Sequence, residues 1–218
     1  MFRIDPERYR VVDLSFEVVP GGRADRPFDA TRATLPDDCF KYDVTCTHTH
    51  VGTHVELPAH YWPEGADVTA FPLEAFYGRG ILLHLDESLR GAAITADYCA
   101  QQLDLRIQPG DCVLCRNEAL GATSAASDDL PYLTPDAARY LAAHQIKLLG
   151  IDSFVRLSVD IPQGRQLHEI LMGAGCNLVE FLDHLDELQR EEFFFMSLPF
   201  KVRGMDSGWA RAIAIEDL

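Results

Sequence analysis

Residues 134–152 read TPDAARYLAAHQIKLLGID, a helix running straight into a strand. Thr134 stands where a helix N-cap is wanted, with a hydroxyl to accept from an unpaired backbone N–H of the first turn. Pro135 follows at the first helical position, where a missing N–H is no loss. The helix is expected to run through His144, and Ile146 to Ile151 to form the next strand. Working outward, the same alternation recurs. Upstream, Pro109-Gly110-Asp111 is a turn and Cys112-Val113-Leu114-Cys115 reads as a buried strand. Gly80 to Leu85 reads as another, apolar on both faces at Ile81-Leu82-Leu83, and Thr95 caps a helix over roughly Ala96 to Leu103. Val11 to Ser15 opens the chain with a strand, followed by the Pro20-Gly21-Gly22 turn. Phe40 to Val51 reads as one or two strands, and Thr69 to Phe76 as a short helix with Pro72 just inside it. Asn117 to Asp129 is polar and reads as a surface loop. Downstream, a short helix over His168 to Met172 stops at Gly173-Ala174-Gly175. Strands are expected at Asn177 to Phe181, Phe193 to Val202 and Arg211 to Ile215. This order specifies an α/β fold with a mixed sheet, barrel-like or swivelled, in one domain over residues 1–218.

The composition sets bounds on function. Hydrophobic residues at 47% and charged residues at 24% are ordinary for a globular chain of 218 residues with a substantial core. The formal net charge of −15 repels phosphate backbones, so nucleic acid is excluded as the expected partner. Apolar runs such as Ile81 to Leu85 and Phe193 to Met196 are too short to span a bilayer. No basic stretch precedes a long apolar one near Met1, so the cytoplasm is the expected location. The six cysteines are scattered like reduced thiols. Cys112 and Cys115 form a C-x-x-C, but positions three apart on a strand face opposite ways, so the two thiols are expected to diverge.

Chemistry concentrates in residues 47–60, THTHVGTHVELPAH, which hold four of the chain's eight histidines. Histidine is the commonest side-chain metal ligand at neutral pH. A helix cannot arrange this segment, because Gly52 and Pro58 disfavour one and Glu56 would lie about 120° around the axis from His50. In extended chain, His48, His50, His54, Glu56 and His60 all project to one side. A straight strand would spread His50 and Glu56 by ~20 Å, whereas ligands of one ion must come within ~2.0–2.2 Å of it. The chain must therefore bend. Gly52 supplies the freedom and Pro58 ends any ladder, giving a folded ligand loop at a strand end. Two imidazoles and a carboxylate, from His50, His54 and Glu56, suit Zn²⁺, Mn²⁺ or Fe²⁺ with positions left for water. His48 faces the same way with no defined place in the pattern. The spacing of His60 after Pro58 favours a position beside the ion, with a ligand role as the alternative. Trp62 reads equally as a wall for a flat substrate and as a packed core aromatic.

The segment His50-Val51-Gly52-Thr53-His54-Val55-Glu56-Leu57-Pro58-Ala59-His60 resembles the H-x-G-T-H-x-D-x-P-x-H signature of the cyclase family, which includes bacterial kynurenine formamidases and isatin hydrolases. The resemblance extends to Asp13-Leu14-Ser15, residues 109–114, Leu149-Gly150-Ile151-Asp152, His168-Glu169-Ile170-Leu171, Leu178-Val179-Glu180, Pro199-Phe200-Lys201 and residues 211–214. It implies that His50, His54 and Glu56 bind one ion, that Glu56 bridges to a second held by His168 and Glu180, and that His60 is the acid/base residue. It further implies a homo-oligomer, a dimer or larger. Read from the residues alone, His168 and Glu180 would pass for polar residues at element ends. Three departures from the family pattern stand out. Glu56 replaces the familiar Asp, Arg116-Asn117-Glu118 replaces Thr-Gly-Trp, and Ser153-Phe154-Val155-Arg156 replaces a Pro-Ser-rich run. The last two are expected to lie near the pocket, which leaves the substrate open.

The expected activity is metal-dependent hydrolysis of an amide C–N bond, in a small aryl formamide or a cyclic amide or imide, with zinc or manganese supplying activated water and His60 moving the proton. The alternatives are a lactone hydrolase and a non-hydrolytic member that cyclises or simply binds a small ligand. Serine-nucleophile chemistry is unsupported, because Ser153 lacks the glycines of a nucleophile elbow. Gly78-Arg79-Gly80 is an isolated pair rather than a phosphate loop, so no nucleotide cofactor is expected.

Overall fold

The structure is a computed structural model, and it describes residues 5, 7–36, 39–118 and 127–218. Twelve strands and three α-helices are present among them. The main sheet contains β1 (Tyr9–Asp13), β4 (His54–Glu56), β5 (Tyr77–Leu85), β7 (Cys112–Asn117), β9 (Leu148–Asp152), β10 (Asn177–Leu182), β11 (Glu192–Pro199) and β12 (Ser207–Asp217). Its order is β1-β12-β11-β5-β7-β9-β10-β4, and a further pairing of β4 with β12 closes seven of these strands into a ring. The run β5-β7-β9-β10 is parallel, and every other pairing of the ring is antiparallel. The mixed, barrel-like sheet expected from the sequence is thus present, and closure leaves the ring without a free edge.

Each parallel step is made by a helix crossing the outer face. α1 (Ala96–Leu103) lies between β5 and β7, α2 (Pro135–Ala143) between β7 and β9, and α3 (Ile161–Gly173) between β9 and β10. Thr95 and Thr134 cap α1 and α2 as read from the sequence, their hydroxyls accepting from the Tyr98 and Ala137 amides. α3 is longer than the expected His168–Met172 segment. Asp160 caps it by accepting from the Gln163 amide, and Pro162 sits in its first turn, so His168 is a buried residue of the helix interior rather than its first residue. The segment 69–76 forms two 3₁₀ turns rather than one helix. Most of the Asn117–Asp129 loop, residues 119–126, falls outside the described residues.

The two-residue side-chain period of the strands sorts the core into two layers. Leu82, Leu114, Leu148, Val179, Phe195, Ala212 and Ala214 fill the barrel interior. Ile81, Leu83, Val113, Leu149 and Ile151 face outward and meet Cys99, Leu103, Ala138, Leu141, Leu167 and Leu171 of the helices. Cys112 belongs to the inner layer and Cys115 to the outer one, so the C-x-x-C thiols do diverge. Burial pushes the Cys112 thiol up to about 12, leaving it inert at neutral pH.

A separate two-stranded sheet pairs β2 (Asp29–Thr34) with β3 (Phe40–Cys46), and every residue of β3 is exposed. A second small pair joins β6 (Ala93–Ile94) to β8 (Tyr132–Leu133).

Candidate metal centre

β4 is only three residues long, yet it closes the barrel, pairing with β10 on one side and β12 on the other. Val55 and Leu57 point into the barrel, so His54 and Glu56 emerge on the outer face beneath α3. Before β4 the chain reverses through a turn at Gly52, which has φ +63° and no room for a Cβ against Val18. A side chain there would meet both strain and a clash. The reversal returns the His50 ring to 4.9 Å from the His54 ring. After β4, Pro58 opens a 3₁₀ turn that carries His60, and Gly65 closes tightly on that turn, its missing Cβ standing only 2.5 Å from the Pro58 carbonyl. The bend inferred from the spacing of the ligands is therefore built from Gly52 on one side and Pro58 on the other.

Glu56 is the hub. Its Oε1 lies 2.8 Å from His50 Nδ1 and 3.4 Å from His54 Nε2, and its Oε2 lies 2.8 Å from His168 Nε2. Glu180, directly opposite His54 in the β10–β4 register, places Oε2 3.9 Å from His54 Nε2. The His60 ring is 4.5 Å from that of His50 and 5.5 Å from that of His168. The fold thus brings His50, His54, Glu56, His60, His168 and Glu180 together from β4, the turns on either side of it, α3 and β10. Trp62 lies elsewhere, partly buried against the helix-side core. Tyr61 meets the cluster instead, its ring 4.3 Å from His168 and 4.7 Å from His60, and Phe181 lies 6.0 Å from the His54 ring. His48 is exposed, its Nδ1 accepting from the His50 amide and its carbonyl from the Trp209 indole, and its ring lies 6.2 Å from that of His50.

The hydrogen bonds behind the rings define what the cluster can hold. His54 Nδ1 is 2.8 Å from the Gly52 carbonyl, and His168 Nδ1 is 2.6 Å from the Gly164 carbonyl. A carbonyl only accepts, so both Nδ1 atoms carry the proton and each neutral ring presents an Nε2 lone pair. Those lone pairs face carboxylate oxygens, which is repulsive unless positive charge lies between them. Either a second proton on each ring or a cation supplies it. Two buried imidazoles and two carboxylates on one face make a nitrogen–oxygen donor set suited to a divalent transition metal. The residues present therefore fit a metal ion.

The electrostatics agree. Burial disfavours charge on His50, but hydrogen bonds and charge from Glu56 and Asp206 outweigh it and raise the imidazole to about 9. Burial likewise opposes ionisation of Glu56, yet bonds from His168, His50 and His54 hold it well below the usual carboxylate range. Glu180 is pushed upward by burial and by the neighbouring Glu56 charge.

Asp206 is the residue that reading the sequence missed. Its Oδ2 lies 2.7 Å from His50 Nε2 and 3.0 Å from His60 Nδ1, while Oδ1 accepts from Thr49 at 2.8 Å. It stands in Met205-Asp206-Ser207, just after a turn at Gly204, with no histidine or second acid beside it. Only the antiparallel return of β12 along β4 delivers it to the cluster.

A seven-stranded mixed barrel with a histidine–glutamate cluster on the strand that closes it defines the class. Residues 12–156 match the Cyclase family, described as Putative cyclase, and the chain belongs to that family. It is 30% identical over 185 residues to a kynurenine formamidase of Paracidovorax citrulli, an alignment covering 83% of each chain. A structure described as a predicted metal-dependent hydrolase from Bacillus stearothermophilus superposes with TM-score 0.75 at 26% identity, covering 95% of this chain and 98% of that one. Isatin hydrolase A from Labrenzia aggregata shares the fold, with TM-score 0.76 at 21% identity over 95% of this chain and 93% of its own.

Proposed function

We propose that the protein is a metal-dependent hydrolase that cleaves the amide C–N bond of a small aryl formamide or of a cyclic amide or imide, with Zn²⁺ or Mn²⁺ as its cation. Lactone hydrolysis is a close chemical variant. The observation that carries the reading is the convergence of ring nitrogens with fixed tautomers on the two oxygens of Glu56. One oxygen faces His50 and His54, and the other faces His168. On this reading His50, His54 and Glu56 would hold one ion, and His168 and Glu180, together with Glu56, would hold a second. The kinship with a kynurenine formamidase and with a structure described as a metal-dependent hydrolase supports the same conclusion.

When bound, a divalent cation supplies Lewis acidity, acidifying water toward neutrality and drawing charge from a carbonyl. The chain's own residues move the proton. Asp206 accepts from His60 Nδ1, which leaves His60 Nε2 as a lone pair. That nitrogen takes a proton from the attacking water and returns it to the leaving nitrogen. Asp206 also accepts from His50 Nε2, turning His50 Nδ1 toward Glu56. One carboxylate thus sets the tautomers of both a ligand and the acid/base residue. Tyr61, kept protonated by burial and by the charges of Glu56 and Glu180, covers His168 and shields the cluster from solvent.

The β2–β3 hairpin supports a homo-oligomer, a dimer or tetramer. Phe40, Tyr42 and Val44 share one strand face and are 53%, 64% and 46% exposed, and a lone two-stranded hairpin is marginal in water. The hydrolase reading is tested by elemental analysis and an amidase and lactonase panel on the wild type and His54→Ala. Stoichiometric metal that falls together with turnover in the variant supports it. Turnover that persists without metal, or stoichiometric metal with ligand binding but no hydrolysis, refutes it.

A further inference from the structure

Next to Glu180 the surface opens into a cavity of about 370 Å³ whose walls include Arg23, Arg26, Arg156, Asp152 and Phe181. Three guanidinium groups in one cavity are out of keeping with a chain of net charge −15 that has only 19 basic residues. Several arginines elsewhere are tied to acids, such as Arg79 to Asp111, Arg106 to Glu191 and Arg211 to Asp13. Arg23 similarly pairs with Asp25, at 2.7 Å. Arg26 and Arg156 do not follow this pattern. Arg26 donates to the His50 carbonyl and lies over the Phe181 ring, 4.3 Å from its centre. Arg156 makes a long 3.4 Å contact to the Leu130 carbonyl and lies 5.6 Å from the centre of the Tyr132 ring, and its buried Nε has no partner. Among the described residues neither forms an ion pair with a carboxylate.

The acids on the cavity wall do not pair with these arginines. Glu180 feels the Arg26 charge but is turned toward His54, and Asp152 accepts from the Phe154 amide at 2.8 Å while burial raises it to about 7. A guanidinium sheltered from water without an anion is unfavourable, and its planar fork of donors matches a carboxylate. We propose that the cavity is a subsite for an anionic group, so that the substrate is a small amide or imide bearing a carboxylate, which Arg26 and Arg156 hold while the scissile bond faces Glu56 and His60. The placement of the scissile bond rests on the hydrolase reading above. The anion subsite does not.

Benzoate and benzamide share size and ring and differ in charge, so calorimetric titration of each into the metal-loaded full-length protein isolates the subsite. Benzoate is expected to bind about tenfold tighter than benzamide, the scale of one or two charge-assisted hydrogen bonds. That advantage should be lost in Arg156→Gln and in Arg26→Gln, and kept in part in Arg156→Lys, with folding of each variant verified by circular dichroism. Equal binding of the two probes overturns the proposal. So does an advantage that survives in both glutamine variants, because the carboxylate would then sit on the metal. Arginine-dependent benzoate binding by a protein that hydrolyses no amide would refute the hydrolase reading and leave the subsite standing. Hydrolysis that favours neutral amides over their carboxylated counterparts would do the reverse.

Discussion

Asp152 offers a test of the electrostatics that is independent of catalysis. The residue ends β9, is 8% exposed, and has burial as the main influence on its carboxyl, which rises from 3.8 to about 7. Asp183 and Asp186 push it in the same direction, and hydrogen bonds at Phe154 and Asn117 oppose the rise without cancelling it. Between those two pH values the unfolded chain has released this proton and the folded chain still holds it. Folded stability therefore falls as pH rises through that window and levels off above about 7. At about 1.4 kcal/mol per pH unit the full span amounts to roughly 4 kcal/mol, of which roughly 2–3 kcal/mol accrues between about pH 5 and pH 8. Asp152→Asn removes the titration while its amide oxygen still accepts from the Phe154 N–H. The assay is urea unfolding of both proteins across this pH range, comparing them at each pH so that every other titrating group, and any metal linkage, cancels to first order. The variant should gain on the wild type by roughly 2–3 kcal/mol from about pH 5 to pH 8. A difference that is flat with pH would refute the argument, and one of opposite slope would mean that the ionised carboxylate is stabilised where it sits.

The other expectations concern the centre and the core. His54→Ala removes a buried ring with Nε2 directed at both glutamates, and should lower metal content and reduce turnover by on the order of 10²-fold or more, measured together. Asp206→Asn should leave the fold and most of the metal in place yet lower kcat by about 10–100-fold and alter the pH–rate profile, because the tautomer of His60 is no longer set; an unchanged profile would refute its positioning role. Phe195 is fully buried in the barrel interior, and Phe195→Ala should destabilise by about 3–5 kcal/mol in denaturant titration.

Much of this arrangement is legible in the sequence wherever the signal is local. The Thr95 and Thr134 caps locate α1 and α2 to within a residue, and the parity of His54 and Glu56 places them on one face of β4. The sequence reading reaches only His168 to Met172 of α3, because Pro162 and Gly164 carry low helix propensity. In the structure Gly164 lies inside the helix, where a Cβ would stand 2.9 Å from Ser158 Oγ, and its carbonyl orients His168. Family resemblance alone assigns His168 and Glu180 to the centre. Asp206 had no local signal at all, lying 146 positions from His60. The pairings that close the expected barrel are equally hidden, because they belong to a strand three residues long. Short-range patterns report propensity and faces, whereas long-range register is written in packing that no single stretch displays.

The three-residue β4 has a consequence for how the barrel is held shut. It is the shortest stave of the ring, and two of its three side chains, His54 and Glu56, belong to the proposed centre. A cation held there, as proposed, would clamp the shortest joint of the cylinder to α3 through His168 and to β10 through Glu180. Release of the ion and parting of that joint are then linked, each favouring the other. Chelation should accordingly unprotect the β4 amides in hydrogen exchange before those of β5 or β7. A cell starved of metal would carry this protein with its hoop unfastened, open to proteases at the segment that also bears its chemistry.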